Sequence, residues 1–429
     1  MYDLLLFLNS GASFAYVIWA FFNAKKHGTI ITAFVSSMYI LTNGAFIFSN
    51  QETSSLYGYD ISDQAIVLAC LGNFLFILIS ILITKIKFFK TKIILGYKAD
   101  SSPRKIILLV LIFLVVILES RYLFLGGGIQ RVLELSNVSG RDSLYTLRYD
   151  DSLAISQGSG LFSALIAMRV IYPLCALGLA HKIIVKKNYY YIIPAAFILT
   201  SNGLTALSTL QRSPFFNFTV ISLFSVAWAI LLSRQLRGEK MPIFGLKQFI
   251  ILALCVLMGS SIYAFTEGVN LALGAYGIAE RIFFISSFST TSYYNLFGEK
   301  LAFPYVGISY LLGFPVEEAA GVITYRNIGS AANGWPHNLN ASFVGTAYAA
   351  LGYFGVVLIS FIVLYVTKYI DSKLKYMSIT DKFAALILNI FVVFEVCNGP
   401  LMNGIYAGLL TNVLLYIFIF KSKVKYAYR

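Results

Sequence analysis

Three sets of residues in this chain have types and spacing suited to chemistry: arginines set apart from lysines, a lone histidine, and ionisable groups inside apolar runs. Of the 33 basic residues, 20 Lys and four Arg fall in one set of alternate loops. The opposite loops hold seven Arg (Arg121, Arg131, Arg141, Arg148, Arg212, Arg281, Arg326) and a single Lys300, while Arg169 lies within an apolar run. A planar guanidinium fork engages phosphate or carboxylate oxygens two at a time, which an ammonium does not. The arginine side therefore suits an anionic ligand, or it pairs with nearby acids such as Glu134, Asp142, Asp150, Asp151 and Glu280. Arg212 stands in the tight turn Ser208-Thr209-Leu210-Gln211-Arg212-Ser213-Pro214, close to headgroup level. Snorkelling and a bound lipid pyrophosphate both account for it. Arg281 follows Glu280, so an internal ion pair competes with ligand binding there.

His337 is the histidine of interest, in Gly334-Trp335-Pro336-His337-Asn338. Histidine titrates near neutrality and suits a general base; the plainer reading is a solvated loop residue. His27 and His181 stand near lysines and call for no special role. Arg169 and Glu395 are ionisable groups at membrane depth, which are functional candidates by default or a mutual pair that holds helices together. The acid pairs Asp150-Asp151 and Glu317-Glu318 lack the further oxygen ligands that a divalent ion needs, so no metal is expected. No Walker loop or dinucleotide fingerprint follows a strand, and no cofactor is expected either.

The elements that must position these residues are membrane helices. The 429 residues are 58% hydrophobic and only 12% charged, against about 25% charged in a soluble protein. The expectation is an all-α polytopic integral membrane protein forming a single transmembrane domain over 1–429. A crossing helix needs about 20 apolar residues, and eleven runs meet that scale: 4–23, 29–49, 64–84, 106–125, 159–180, 189–210, 215–233, 248–267, 343–367, 383–399 and 402–420. The first run lacks a basic start and a cleavage site, so it reads as a retained span. The net charge of +14 follows from the lysine-rich loops and not from nucleic-acid binding. Lysines on one side place the N-terminus outside and the C-terminus in the cytoplasm. The four cysteines fall inside apolar runs without metal-ligand spacing.

Two outer loops stand out. One covers 126–158 and begins Gly126-Gly127-Gly128. The other, 268–342, separates the eighth and ninth spans, and loops of such length are usually functional or disordered. Its aromatic content predicts short amphipathic helices at the membrane surface, near 275–297 and 305–324. No internal repeat supports an inverted-repeat transporter.

An outward-facing transferase needs a substrate that arrives activated and membrane-anchored. In this light the chain resembles the oligosaccharide repeat-unit polymerases of the Wzy type, which build O-antigen and related bacterial glycans. The likeness covers the whole chain in topology. In residues it rests on Gln211-Arg212, on Arg281, and on Asn338-Leu339-Asn340-Ala341-Ser342-Phe343-Val344-Gly345-Thr346-Ala347-Tyr348 followed by Leu351-Gly352-Tyr353-Phe354-Gly355. The related O-antigen ligases share a His-Asn before the span that follows the long loop. Here His337-Asn338 stands farther from Gly352 than in that pattern, which favours polymerase over ligase.

The resemblance implies a metal-independent, GT-C-like glycosyltransferase in the bacterial inner membrane, with its site facing the periplasm. Arg212 and Arg281 would contact the donor's undecaprenyl pyrophosphate, and His337 would activate the acceptor hydroxyl. Failing His337, the base would be Glu280 or an acid of the 317–318 pair. Arg148, Arg326 and Asn338 join the substrate-binding candidates, and Trp335 and Tyr293 would stack on sugar rings. The expected partners are an undecaprenyl-pyrophosphate-linked oligosaccharide, membrane lipid and a polysaccharide chain-length regulator. A lipid-linked oligosaccharide flippase and an O-antigen ligase are the rival readings.

Overall fold

The computed structural model describes residues 2–23, 61–86, 105–134, 160–209, 212–239, 286–297, 341–374 and 379–397, with isolated positions at 32, 35, 36, 38, 270, 272 and 276. Among the described residues every regular element is helical. The helices are α1 (Tyr2–Phe22), α2 (Asp63–Lys85), α3 (Lys105–Ser120), α4 (Gly128–Glu134), α5 (Leu161–Ile166), α6 (Tyr172–Ala180), α7 (Ile192–Ser208), α8 (Arg212–Leu236), α9 (Ser286–Leu296), α10 (Phe343–Leu374) and α11 (Ile379–Cys397). Three π-helical turns extend them: Arg121–Leu125 after α3, Ala167–Ile171 between α5 and α6, and His181–Val185 after α6.

The distribution of side chains identifies the solvent. On α3, Ile106, Val110, Phe113 and Ile117 recur at helical spacing and are 77%, 51%, 64% and 45% exposed. The opposite face buries Leu108, Val115 and Glu119 completely. A stripe of outward-facing large apolar side chains, with the one acid turned inward, is the reverse of a helix in water. Seven helical stretches are long and apolar enough to cross a membrane: Leu4–Phe22, Asp63–Lys85, Lys105–Leu125, Ser163–Val185, Tyr189–Ser208, Asn217–Leu236 and Phe343–Ser372. These fall on the first, third, fourth, fifth, sixth, seventh and ninth predicted spans. Helix α11 covers most of the tenth, 383–399. The second, eighth and eleventh predicted spans lie outside the described residues, apart from a few isolated positions in the second.

Two boundaries moved. The fifth span runs on to Val185 because π-helical hydrogen bonding continues past Ala180, and this draws His181 into the interior against Trp228, with ring centroids 6.3 Å apart. The loop predicted from 126 opens on helix α4, which packs against α7.

The chain divides into two compact units. In the first, α1, α9 and α10 pack around α2. Asn73 on α2 donates to Asn9 Oδ1 and Ser13 Oγ on α1, both at 2.7 Å, a buried polar tie inside an apolar pair. Lys368 on α10 donates to the Thr84 carbonyl at 2.8 Å, so the lysine-bearing ends of α2 and α10 lie together. Helix α9 lies in the predicted 275–297 surface segment, yet its side chains from Ser287 to Tyr294 are all buried. It is held at its C-terminal end and near its middle: Asn295 Oδ1 accepts from Ser62 Oγ at 2.7 Å, and Thr290 Oγ1 accepts from the Ser342 N–H at 3.1 Å. The Thr291 and Ser292 hydroxyls donate to the Ser287 and Phe288 carbonyls, which helps so polar a segment pack away from water, while the buried Ser287 and Tyr294 hydroxyls have no partner among the described residues.

Gly72 on α2 is where α9 comes closest, because a Cβ there would overlap the Tyr294 hydroxyl. Gly72→Ala is expected to lower stability by about 1–3 kcal/mol through overpacking. Tyr294→Phe removes the overlapping oxygen, and in the double variant should recover part of that loss. Thermal unfolding of the four proteins in nanodiscs gives the coupling; strict additivity would refute the contact.

In the second unit, α3, α5, α6, α7 and α8 form a bundle, with residues 379–391 of α11 added. One apolar cluster joins Leu174, Leu177, Trp228, Ala229, Ile387 and Leu388; another joins Leu108, Val115, Tyr172, Cys175, Ile198 and Ile221.

Candidate functional site

Connectivity decides which residues of the second unit share an end. Helices α3 and α7 run toward one end of the bundle, and α5–α6 and α8 run back from it. One end therefore carries Lys105, Lys182, Lys186, Lys187, Arg234 and Arg237, and the other carries Arg121, Arg131 and Arg212, with Arg169 just inside. The lysine–arginine split of the sequence thus maps onto two ends of one packed body.

At the arginine end the interior is polar. Glu119, wholly buried, accepts a hydrogen bond from Ser201 Oγ and another from Asn202 Nδ2, both at 2.5 Å. Beside it a narrow cleft is lined by Leu165, Met168, Arg169, Asn202, Asn217, Phe218 and Ile221. At 1.5 Å rise per residue, Asn202 lies about 9 Å from the end of α7, and Asn217 about 7.5 Å from the start of α8. The cleft thus sits at helix depth below the arginine-bearing ends. Two π-turns flank the region and one of them contains Arg169; π-bulges inside α-helices frequently mark functional sites. Nearer the end, Arg131 Nη1 donates to the buried Tyr122 hydroxyl at 3.3 Å. The Arg121 side chain rests on Gly160, which enters α5 at φ 83°.

In the first unit the family-like segment that begins at Asn338 enters α10. Ser342 caps α10 by accepting from the Gly345 N–H at 3.4 Å. The helix then breaks at Leu351 (φ −140°, ψ 16°) and Gly352 (φ 62°, ψ −149°). Tyrosines surround the break: the Tyr348 ring lies tilted on Tyr294, centroids 4.2 Å apart, and edge-on to Tyr353 at 5.1 Å, and Tyr353 donates to the Leu68 carbonyl at 3.0 Å.

The chain matches no protein-family model, no curated protein and no solved structure.

Of the residues singled out in the sequence, Arg212 opens α8 at the arginine end. Tyr293 is 1% exposed, packed on Phe297, Ala341 and Ala349. Arg169 lines the cleft beside Asn202, and Glu395 lies on α11 with its side chain outside the described set. Arg148, Glu280, Arg281, Arg326, Trp335, His337 and Asn338 lie outside the described residues. Sequence reasoning passed over Glu119, although it falls within the predicted span 106–125. Ser120 and Arg121 follow it, so it reads as an interfacial charge until its burial is seen.

Proposed function

We propose that the chain is a glycosyltransferase that polymerises undecaprenyl-pyrophosphate-linked repeat units at the periplasmic face of the bacterial inner membrane. The observation that carries this reading is the arginine-bearing end of the second unit, with the buried Glu119–Ser201–Asn202 cluster beneath it, opposite an end rich in lysine. The full chain then has eleven spans, an outside N-terminus, a cytoplasmic C-terminus and a GT-C-like plan. The acceptor's hydroxyl oxygen attacks the anomeric carbon of the donor glycan. The anomeric C–O bond breaks, and undecaprenyl pyrophosphate leaves with the electron pair. Arg212 and Arg281 stabilise the leaving charge, and His337 takes the hydroxyl proton. Arg148, Arg326, Asn338 and Trp335 bind glycan or pyrophosphate, and a chain-length regulator is the expected protein partner.

The test replaces Arg212, Arg281 and His337 singly by alanine and resolves surface polysaccharide by chain length. The expected result is at least a tenfold loss of long chains, with a single repeat unit still attached to its carrier. Loss of that single unit as well would overturn the polymerase in favour of a flippase or ligase.

A flippase is the second reading, favoured by the helix break at Leu351–Gly352 and by the buried Glu119. Discontinuous helices and acids at membrane depth line transport paths.

A further inference from the structure

At the lysine end of the second unit, one corner is built from three elements. Lys105 opens α3, Lys182 lies in the π-turn that follows α6, and Lys186 closes that turn. Lys182 feels the like charges of both Lys186 and Lys105, and its Nζ lies 5.9 Å from the centre of the Tyr191 ring. The link from the π-turn to α7 is short and tightly bonded. The Lys186 N–H donates to the His181 carbonyl at 3.1 Å, and the Asn188 N–H donates to the Lys182 carbonyl at 3.0 Å. Asn188 Oδ1 in turn accepts from the Tyr190 N–H at 3.3 Å. Lys187, within this link, stands at φ 51°, a left-handed position that glycine adopts without strain and that commonly holds glycine where a helix ends. The chain keeps a fourth positive charge there in spite of the backbone strain. Lysines grouped on a rigid turn repel one another, and an anion seated among them converts that repulsion into attraction.

The surroundings select what carries the anion. Tyr189 and Tyr190, directly after the lysines, are 64% and 89% exposed, and exposed aromatic rings beside lysine mark the headgroup level of a bilayer. From this level α3 and α7, which pack on each other, run into the apolar region. The first exposes Ile106, Val110 and Phe113, and the second exposes Ile193 and Phe197. A phosphate that arrives with acyl chains attached finds apolar surface for them, whereas a free phosphate gains nothing from it. Glu239, an acid at the same end, is engaged by Arg234 at 3.8 Å and Arg237 at 3.1 Å. Basic pockets beside membrane helices are suited to anionic headgroups.

We propose that Lys105, Lys182, Lys186 and Lys187 form a binding site for an anionic phospholipid, whose phosphate sits among the ammonium groups and whose acyl chains lie along the exposed faces of α3 and α7. The site is independent of the polymerase reading, since it lies at the end of the unit opposite the arginines.

The test is native mass spectrometry of the full chain in detergent micelles. The chain is titrated with phosphatidylglycerol, with phosphatidylcholine of the same acyl chains, and with glycerol 3-phosphate. Phosphatidylglycerol should bind about tenfold more tightly than phosphatidylcholine, and Lys182→Gln and Lys186→Gln should each weaken it about fivefold, the effect of one basic charge on an anionic headgroup. Lys187→Gly is the decisive variant, because it removes a charge and relaxes the backbone together. It should weaken phosphatidylglycerol binding to the same degree while thermal unfolding stays level or rises, so that misfolding does not explain the loss. Arg237→Gln, at the same end but paired with Glu239, should leave binding unchanged. Equal affinity for the two phospholipids, or an equal loss in Arg237→Gln, reduces the corner to a nonspecific basic surface and overturns the site. Glycerol 3-phosphate binding as tightly as phosphatidylglycerol assigns the corner to a free phosphate and overturns the lipid.

Discussion

Glu119→Leu is expected to destabilise the protein by about 2–5 kcal/mol, the largest single effect in the second unit. The substitution leaves the Ser201 hydroxyl and the Asn202 amide, both buried, without the oxygens they donate to. Each stranded donor costs about 1–3 kcal/mol. Glu119→Gln keeps one oxygen for Asn202, and the Ser201 hydroxyl can rotate to accept from the new amide. Its loss should stay under about 1.5 kcal/mol, the scale of one ordinary hydrogen bond. The order Leu worse than Gln, read from thermal unfolding in nanodiscs, is the check. Equal losses would mean that packing volume, and not the hydrogen bonds, sets the cost.

The second large effect belongs to the break in α10. Gly352 adopts φ 62° with ψ −149°, a region closed in practice to any residue with a Cβ. Gly352→Ala should cost about 1–3 kcal/mol, although a side chain there would meet no atom within 4 Å. The strain is in the backbone alone. Gly355 is the converse case, helical in its backbone but so close to the first half of α10 that a Cβ would overlap the Ala347 carbonyl oxygen. Gly355→Ala therefore forces the two halves apart. The two variants should differ in character: Gly352→Ala favours straightening the helix, while Gly355→Ala widens the bend. Double electron–electron resonance between spin labels at exposed positions on either side of the break distinguishes them. A common distance change in both would refute the distinction.

Much of the architecture was legible because hydrocarbon imposes a simple rule. A chain must satisfy its backbone hydrogen bonds within each crossing segment, so an apolar run of about 20 residues reads directly as a helix. Seven of the eleven predicted runs coincide with helices of that kind. Of the other four, α11 covers most of one and three lie outside the described residues, apart from isolated positions; two other readings change, each for a physical cause. His181 reads as a loop residue because lysines follow it, whereas π-helical bonding carries the helix on to Val185. Helix α9 reads as an interfacial segment because of the aromatic content of its loop, although its own sequence, Ser-Ser-Phe-Ser-Thr-Thr-Ser-Tyr-Tyr-Asn-Leu, is mostly polar. Hydroxyls that bond back to carbonyls one turn earlier hide that polarity, and hydropathy does not register such bonds.

The site divides along the same line. Which loops carry arginine and which carry lysine is a property of the linear order, and the two ends of the second unit preserve it. Gly352, in the segment that carries the family resemblance, is where α10 breaks, a feature not anticipated from the sequence. The sequence by itself determined the helices, their alternation and the sorting of charge between their ends, because these follow from local hydropathy and loop position. Only the tertiary structure decided that Glu119 meets Ser201 and Asn202, more than 80 residues further along the chain, in one buried cluster. It also decided that Arg169 shares a cleft with Asn202 and Asn217. The physical reason is rotational. Hydropathy fixes that a segment crosses the membrane, while the angle each helix turns about its own axis is set by packing against its neighbours, and that angle chooses which polar side chains face one another.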